Sequence, residues 1–280
     1  MHVRAGPTRV LVDCGEGAQR ALLNVGAGFV IHAVALTHMH GDHWYGLPGL
    51  LRTFSLNERH DPLDVLYPVG SPAWKLEFLA QVAAGCPYPV TLRSLAAGDT
   101  HLVGELTVTA VEAQHRIAAL AYVLTTPDRP GAFDAVKATQ LGVPAGPERA
   151  ALLRGEIVAG AAGAVHPSDV VGPARPGLRI VISGDTLPSP AIREAARGAD
   201  VLVHEATFSD EHAARARETG HSTIRQACEL AAAAGAQALI LTHFSQRVAD
   251  SLDALLDERV AFPDAVCATD GLLFDVSSRR

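Results

Sequence analysis

Along nearly the whole chain, short apolar runs of strand length alternate with segments of helical period. Arg9-Val-Leu-Val-Asp13 reads as a strand, followed by a Gly-rich turn at Cys14-Gly-Glu-Gly17 and a helix running to Asn24. Ala33-Val-Ala-Leu36 is a second apolar strand whose end runs straight into a polar stretch, Thr37–His43. Helices are expected over Leu47–Leu56, with Pro48 in the first turn, and over Ala73–Ala83, opened by Ser71-Pro72. Leu63–Tyr67 reads as a strand, and Val90–Arg93, Leu106–Val111 and Ala121–Thr125 as antiparallel strands. From Pro127 to Gly177 prolines and glycines crowd the chain, and only Glu148–Arg154 has helical character. The strand–helix alternation then resumes: strands at Arg179–Ser183, Val201–His204 and Ala238–Leu241, helices at Pro190–Arg197 and Ser222–Ala234. Two halves of this kind predict an α/β fold in four αββα layers, one domain over 1–280, with an inserted arm at about 127–177.

Composition narrows the class. The chain has 280 residues, 48% of them hydrophobic and 19% charged, enough to bury a large core and unlike a disordered chain. It holds no eighteen-residue apolar run, and Met1–Pro7 lacks the basic start and apolar stretch of a signal peptide. Four cysteines lie far apart without a C-x-x-C pair, so reduced thiols and a cytoplasmic location are expected. The net charge of −7 argues weakly against a surface given over to nucleic acid. Thirteen histidines beside two lysines, Lys75 and Lys137, point instead toward metal chemistry.

The chemistry concentrates in Thr37-His38-Met-His40-Gly-Asp42-His43. Imidazole and carboxylate suit zinc, manganese or iron(II). His38 and His40 can face one ion while Asp42 and His43 face another. Three further metal-capable residues stand just past apolar strands: His115, Asp185 in Ser183-Gly-Asp-Thr, and His243 in Leu241-Thr-His-Phe. Strand ends are where loops converge and sites form. Any one of these could be a satisfied core residue. Together they supply the seven ligands that two metals sharing one bridging carboxylate require.

These motifs resemble the metallo-β-lactamase superfamily, and within it the ribonuclease Z family, which trims the 3′ ends of tRNA precursors. The narrower resemblance is carried by Asp13-Cys-Gly-Glu-Gly17, Gly46-Leu-Pro-Gly-Leu-Leu51, His204-Glu-Ala-Thr-Phe208 and Gly220-His-Ser-Thr223. Val143-Pro-Ala-Gly-Pro147 and Leu153-Arg-Gly-Glu156 add to it inside the arm. It implies two zinc ions per chain, one held by His38, His40 and His115, the other by Asp42, His43 and His243, with Asp185 bridging. It also implies hydroxide attack on a phosphodiester, with Asp42 orienting or deprotonating the water, and a tRNA product ending in a 3′-hydroxyl. His221, paired with Glu205, would protonate the departing 3′-oxygen. His204 is left structural. A precursor tRNA partner, a homodimer and an arm that clamps the tRNA through Arg129, Lys137, Arg149 and Arg154 follow from the same resemblance.

The sequence departs from that family at its start. Met1–Thr8 leads straight into what matches the family's second strand, so the first N-terminal strand and the loop after it are expected to be missing, opening a sheet edge. Ala18 stands where the family has Thr. Two other readings keep the metal site: a phosphodiesterase or arylsulfatase acting on small esters, which gives no reason for the arm, and a catalytically impaired RNA-binding metalloprotein, which gives none for Glu205 and His221.

Overall fold

The computed structural model describes residues 1–250 and 257–276. The chain divides into two compact units: Met1–Thr126 with the chain from Arg179 onward, and Pro127–Leu178.

The larger unit holds two sheets. The first joins β1 (His2–Ala5), β2 (Thr8–Val12), β3 (Ala33–Ala35), β4 (Leu63–Pro68) and β5 (Val90–Leu95), in that spatial order. β1 is antiparallel to β2, and the other neighbours are parallel. The second sheet contains β6 (Thr100–Val103), β7 (Leu106–Glu112) and β8 (Leu120–Thr125), with antiparallel pairing. In the smaller unit, β9 (Val158–Gly160) and β10 (Gly163–Val165) form a hairpin. The second sheet is completed by β11 (Arg179–Ile182), β12 (Val201–Glu205), β13 (Leu239–Thr242) and β14 (Val266–Cys267), all parallel, with β11 antiparallel to β8.

Alternating burial along the strands sorts the core into layers. Val10, Val12, Ala33 and Leu66 of the first sheet meet Val108, Tyr122, Leu124 and Ile182 of the second between the two sheets. Leu11, Val34 and Val65 face the other way, toward Leu47, Leu50, Leu51 and Phe54 of the helix Leu47–Leu56. Val181 and Leu202 likewise face Ile192 and the alanine-rich face of the helix Ile224–Ala234. The order is helix, sheet, sheet, helix, as expected. No described helix is long and apolar enough to cross a membrane.

Two expectations need correction. Val90–Leu95 runs parallel to β4, because the helix Ala73–Ala84 is a crossover that returns the chain in the same direction. Residues 2–5 form β1, which pairs with β2 and is itself the edge strand of this sheet. The segment 127–177 is richer than one helical patch. It contains helices Ala135–Gln140, Pro147–Leu153 and Pro167–Val170 around a small core of Ala138, Val143, Leu152, Val165 and Val170. Pro and Gly there begin and end short elements, which breaks the periodicity without removing structure. Of its basic residues, Arg149 bonds Thr139 and the Val143 carbonyl, and Arg154 pairs with Glu156.

Candidate metal centre

Most of the candidate residues stand just past the C-terminal ends of strands, and His221 lies between the helices Ala213–Thr219 and Ile224–Ala234. Thr37 and His38 follow β3, His115 follows β7, Asp185 follows β11, Glu205 ends β12 and His243 follows β13. Asp42 and His43 sit on a single helical turn, Gly41–Trp44, that the sequence reading left as loop. One ligand atom each from His38, His40, His115 and Asp185 lies within 4.8 Å of the others. The same holds for Asp42, His43 and His243, and for Asp185, His221 and His243. The sequence-predicted set is thus brought together, with Asp185 reaching both clusters.

Backbone geometry sets this up. Asp13 and His243 adopt φ of 59° and 60°, the left-handed region, each directly after its strand. The turn after Asp13 locks onto the metal loop: Cys14 N donates to the His43 carbonyl at 2.7 Å, and a Cβ on Gly15 would stand 2.1 Å from the Asp42 carbonyl oxygen. Gly184, at φ +59°, similarly leaves room for Thr37, whose Cβ a side chain would meet at 2.8 Å. These contacts explain Gly15 and Gly184.

The tautomers are fixed from behind. His43 Nδ1 donates to Asp13 Oδ2 at 2.8 Å, and Thr37 Oγ1 donates to the same oxygen at 2.9 Å while taking the proton of His38 Nδ1 at 3.0 Å. A second arrangement mirrors the first. His221 Nδ1 donates to Glu205 Oε1 at 2.8 Å; Thr207 Oγ1 donates to Glu205 Oε2 at 2.7 Å and accepts from His243 Nδ1 at 2.9 Å. Glu205 is fully buried and also accepts from the backbone N–H groups of Thr186 and Thr207. His115 Nδ1 donates to the Gly220 carbonyl at 2.8 Å. In His38, His43, His115 and His243 the Nδ1 proton is held outward, so the opposite Nε2 is turned toward the centre. Thr223 caps the helix Ile224–Ala234 with Gln226 in a capping box, which leaves His221 free to serve the site. His204 is buried, its Nδ1 bonded to the Glu205 carbonyl.

Asp13, Thr37 and Thr207 have no assigned role in the sequence reading. Asp13 carries a signal like that of His115: a polar, metal-capable residue shortly after an apolar strand, here directly after it.

The electrostatics fit cations. Burial pushes His38 down to about 2, with His43 adding to the effect, so its imidazole is neutral. Burial, followed by His115, also lowers His40. Burial opposes a charge on His43 too, but Asp13, Asp185 and Asp42 outweigh it and raise His43 to about 12. The pocket therefore calls for positive charge. Asp42 is held far below the carboxylate range by His243 and then His43. Asp185 is also held low, because His43, His243 and His38 outweigh its burial. His43 Nε2 is buried without a hydrogen-bond partner, 3.5 Å from both Asp42 Oδ2 and Asp185 Oδ2. His38 Nε2 and His115 Nε2 both converge on His40 Nδ1, at 2.9 and 3.1 Å. An orphaned nitrogen among carboxylates and a knot of imidazole nitrogens are what divalent metal ions satisfy. The donor set fits a metal site.

Comparison with known proteins agrees. Residues 3–231 match the family described as the Metallo-beta-lactamase superfamily. The chain is 45% identical over 268 residues to a protein named Ribonuclease Z from Haloarcula marismortui, covering 94% of this chain and 86% of that one. It is 45% identical over 248 residues to a Ribonuclease Z from Myxococcus xanthus, covering 88% and 81%. The crystal structure of human tRNase Z, short form, superposes with a TM-score of 0.67 at 23% identity, covering 98% of this chain and 91% of that one.

Proposed function

The chain belongs to the ribonuclease Z family of the metallo-β-lactamase superfamily, and from that premise we propose that it is a metal-dependent endoribonuclease releasing 3′ trailers from precursor tRNA. The observation that carries the proposal is the union of two features at one set of strand ends: convergent His and Asp donors, and a buried Glu205–His221 pair beside them.

In this reading two zinc ions are bound, one by His38, His40 and His115, the other by Asp42, His43 and His243, with Asp185 shared. Bound there, divalent ions supply Lewis acidity toward phosphoryl oxygens and lower the pKa of water toward neutrality. Asp42, two-thirds exposed, orients the attacking water and takes its proton. His221 delivers a proton from Nε2 to the departing 3′-oxygen, and Glu205 holds the ring in the orientation that makes this possible. The products are a tRNA ending in a 3′-hydroxyl and a trailer with a 5′-phosphate. The negative charge of the chain does not oppose this, because two divalent ions held there would make the pocket locally cationic.

The arm supports a large substrate rather than a small ester. Pro127–Leu178 is a compact unit with its own core, and hydrolysis of a small molecule gives no reason for it. Deleting it is expected to abolish tRNA cleavage and to spare hydrolysis of a nitrophenyl phosphodiester. Loss of both activities would remove this support. A homodimer working in the cytoplasm belongs to the same proposal. Its cysteines, none in a disulfide, accord with a reducing compartment, and molar mass in solution tests the dimer.

The direct assay is incubation with a 3′-extended tRNA precursor, with and without chelator. Trailer release that a chelator stops supports the proposal. No release, or release indifferent to chelation, overturns it.

A further inference from the structure

One of the two lysines stands behind the metal loop. Lys75, on the helix Ala73–Ala84, donates its ammonium to the carbonyl of Met39, the residue between His38 and His40. The same ammonium lies 5.7 Å from the ring centroid of Trp44 and 5.3 Å from that of Trp74. These are the only tryptophans in the chain. Trp44 is 2% exposed and ends the turn carrying Asp42 and His43, whereas Trp74 is 61% exposed on the helix itself.

Each part of this arrangement has a physical reason. Met39 is fully buried, and a buried carbonyl without a donor is costly. The half-buried Lys75 ammonium is favoured by the negative faces of two indoles. The contact fixes the peptide between two imidazoles whose facing nitrogens are only 2.9 Å apart, so a small rotation there changes the bite offered to an ion.

We propose that Lys75 is a positioning residue for the His38/His40/His115/Asp185 group, clamped between Trp44 and Trp74 so that ion binding at this group is coupled to both indoles. This rests on the metal reading of the site given above. The Asp42/His43/His243 group is held instead by Asp13 and Thr207, and among the described residues no lysine bonds its loop.

The test is a zinc titration of metal-free protein, followed by competition with a chromophoric chelator and by tryptophan emission. Wild-type protein is expected to bind two ions, one of which shifts the emission. In K75M that ion should bind about tenfold more weakly, the loss ordinary for residues that orient a metal ligand, and the emission should stop responding. The other ion should bind as before. K75R, which keeps a donor and a cation over the rings, should recover most of the affinity. In a His243→Ala background, where the remaining ion reports on the first group alone, K75M should cause the same loss. Trp74→Ala removes the exposed face of the clamp, should give a smaller loss in the same direction, and serves if K75M does not fold. Unchanged affinity for both ions, equal loss of both alongside a lower melting temperature of the metal-free protein, or K75R as weak as K75M would each overturn the clamp. Wild-type protein that takes up no zinc would instead overturn the metal reading itself, and the clamp with it.

Discussion

Two carboxylate hubs face each other across the site and are built alike, yet they serve different ends. Asp13 accepts a hydrogen bond from His43 directly and is linked to His38 through Thr37. Glu205 accepts one from His221 directly and is linked to His243 through Thr207. In the first hub both imidazoles belong to ligand clusters that leave His221 aside. In the second, one imidazole is a candidate ligand and the other the candidate proton donor. Burial follows the same division. Glu205 is 1% exposed and tied by two backbone N–H groups, whereas the Asp13 side chain is 16% exposed. The same carboxylate–threonine–histidine device therefore orients metal ligands on one side and joins metal binding to proton transfer on the other.

The largest effect should come from the residue that ignores this division. Asp185 lies 3.4 Å from His243, 3.5 Å from His43 and 3.7 Å from His38. Asp185→Ala is expected to strip metal from both groups and cut turnover by about 1,000-fold or more, measured by metal analysis beside kinetics. If one group keeps its ion at full occupancy, the carboxylate is not shared.

Next come the proton-transfer residues. His221→Ala and Glu205→Gln should each lower turnover on precursor tRNA by roughly 100- to 10,000-fold. His221→Ala should leave metal content normal, and Glu205→Gln should weaken only the ion that His243 holds. Near-normal turnover in His221→Ala would remove the general-acid role.

Asp13→Asn should act through metal alone. Zinc affinity is expected to drop by about 10- to 100-fold, with turnover recovering as zinc is added back. Failure of added zinc to restore turnover would place Asp13 nearer the chemistry than the first hub allows.

The smallest effects belong to the threonines, and they test the symmetry itself. Thr37→Val and Thr207→Val each cut one relay and leave the direct carboxylate–histidine bond. The expected loss is about tenfold in affinity for one ion, read through His38 in the first case and His243 in the second. Equal weakening of both ions by either variant would mean that the hubs are not independent.

Much of this site is legible in the chain. His38, His40, Asp42 and His43 declare themselves by proximity, and His115, Asp185 and His243 by standing just past an apolar run. Those signals are local, and so are the αββα layers that follow from strand–helix alternation. The hubs are not local: Asp13 and His43 are thirty positions apart, and Thr207 and His243 thirty-six. A threonine in a chain carries no mark of which ring it will meet. The direction of the strand expected at Val90–Arg93 is hidden for a related reason, since a strand's own residues do not state its direction relative to a neighbour; the crossover helix decides it. β1 and the arm's short helices lie below the length at which periodicity speaks.

The measurement that bears most directly on the central claim is the chemistry of the cut ends. A precursor tRNA with a 3′ extension, treated with zinc-loaded protein, should yield a tRNA ending in a 3′-hydroxyl and a trailer beginning with a 5′-phosphate. A 2′,3′-cyclic phosphate on the tRNA would mean that the RNA's own hydroxyl, not water, attacks, and would contradict the account.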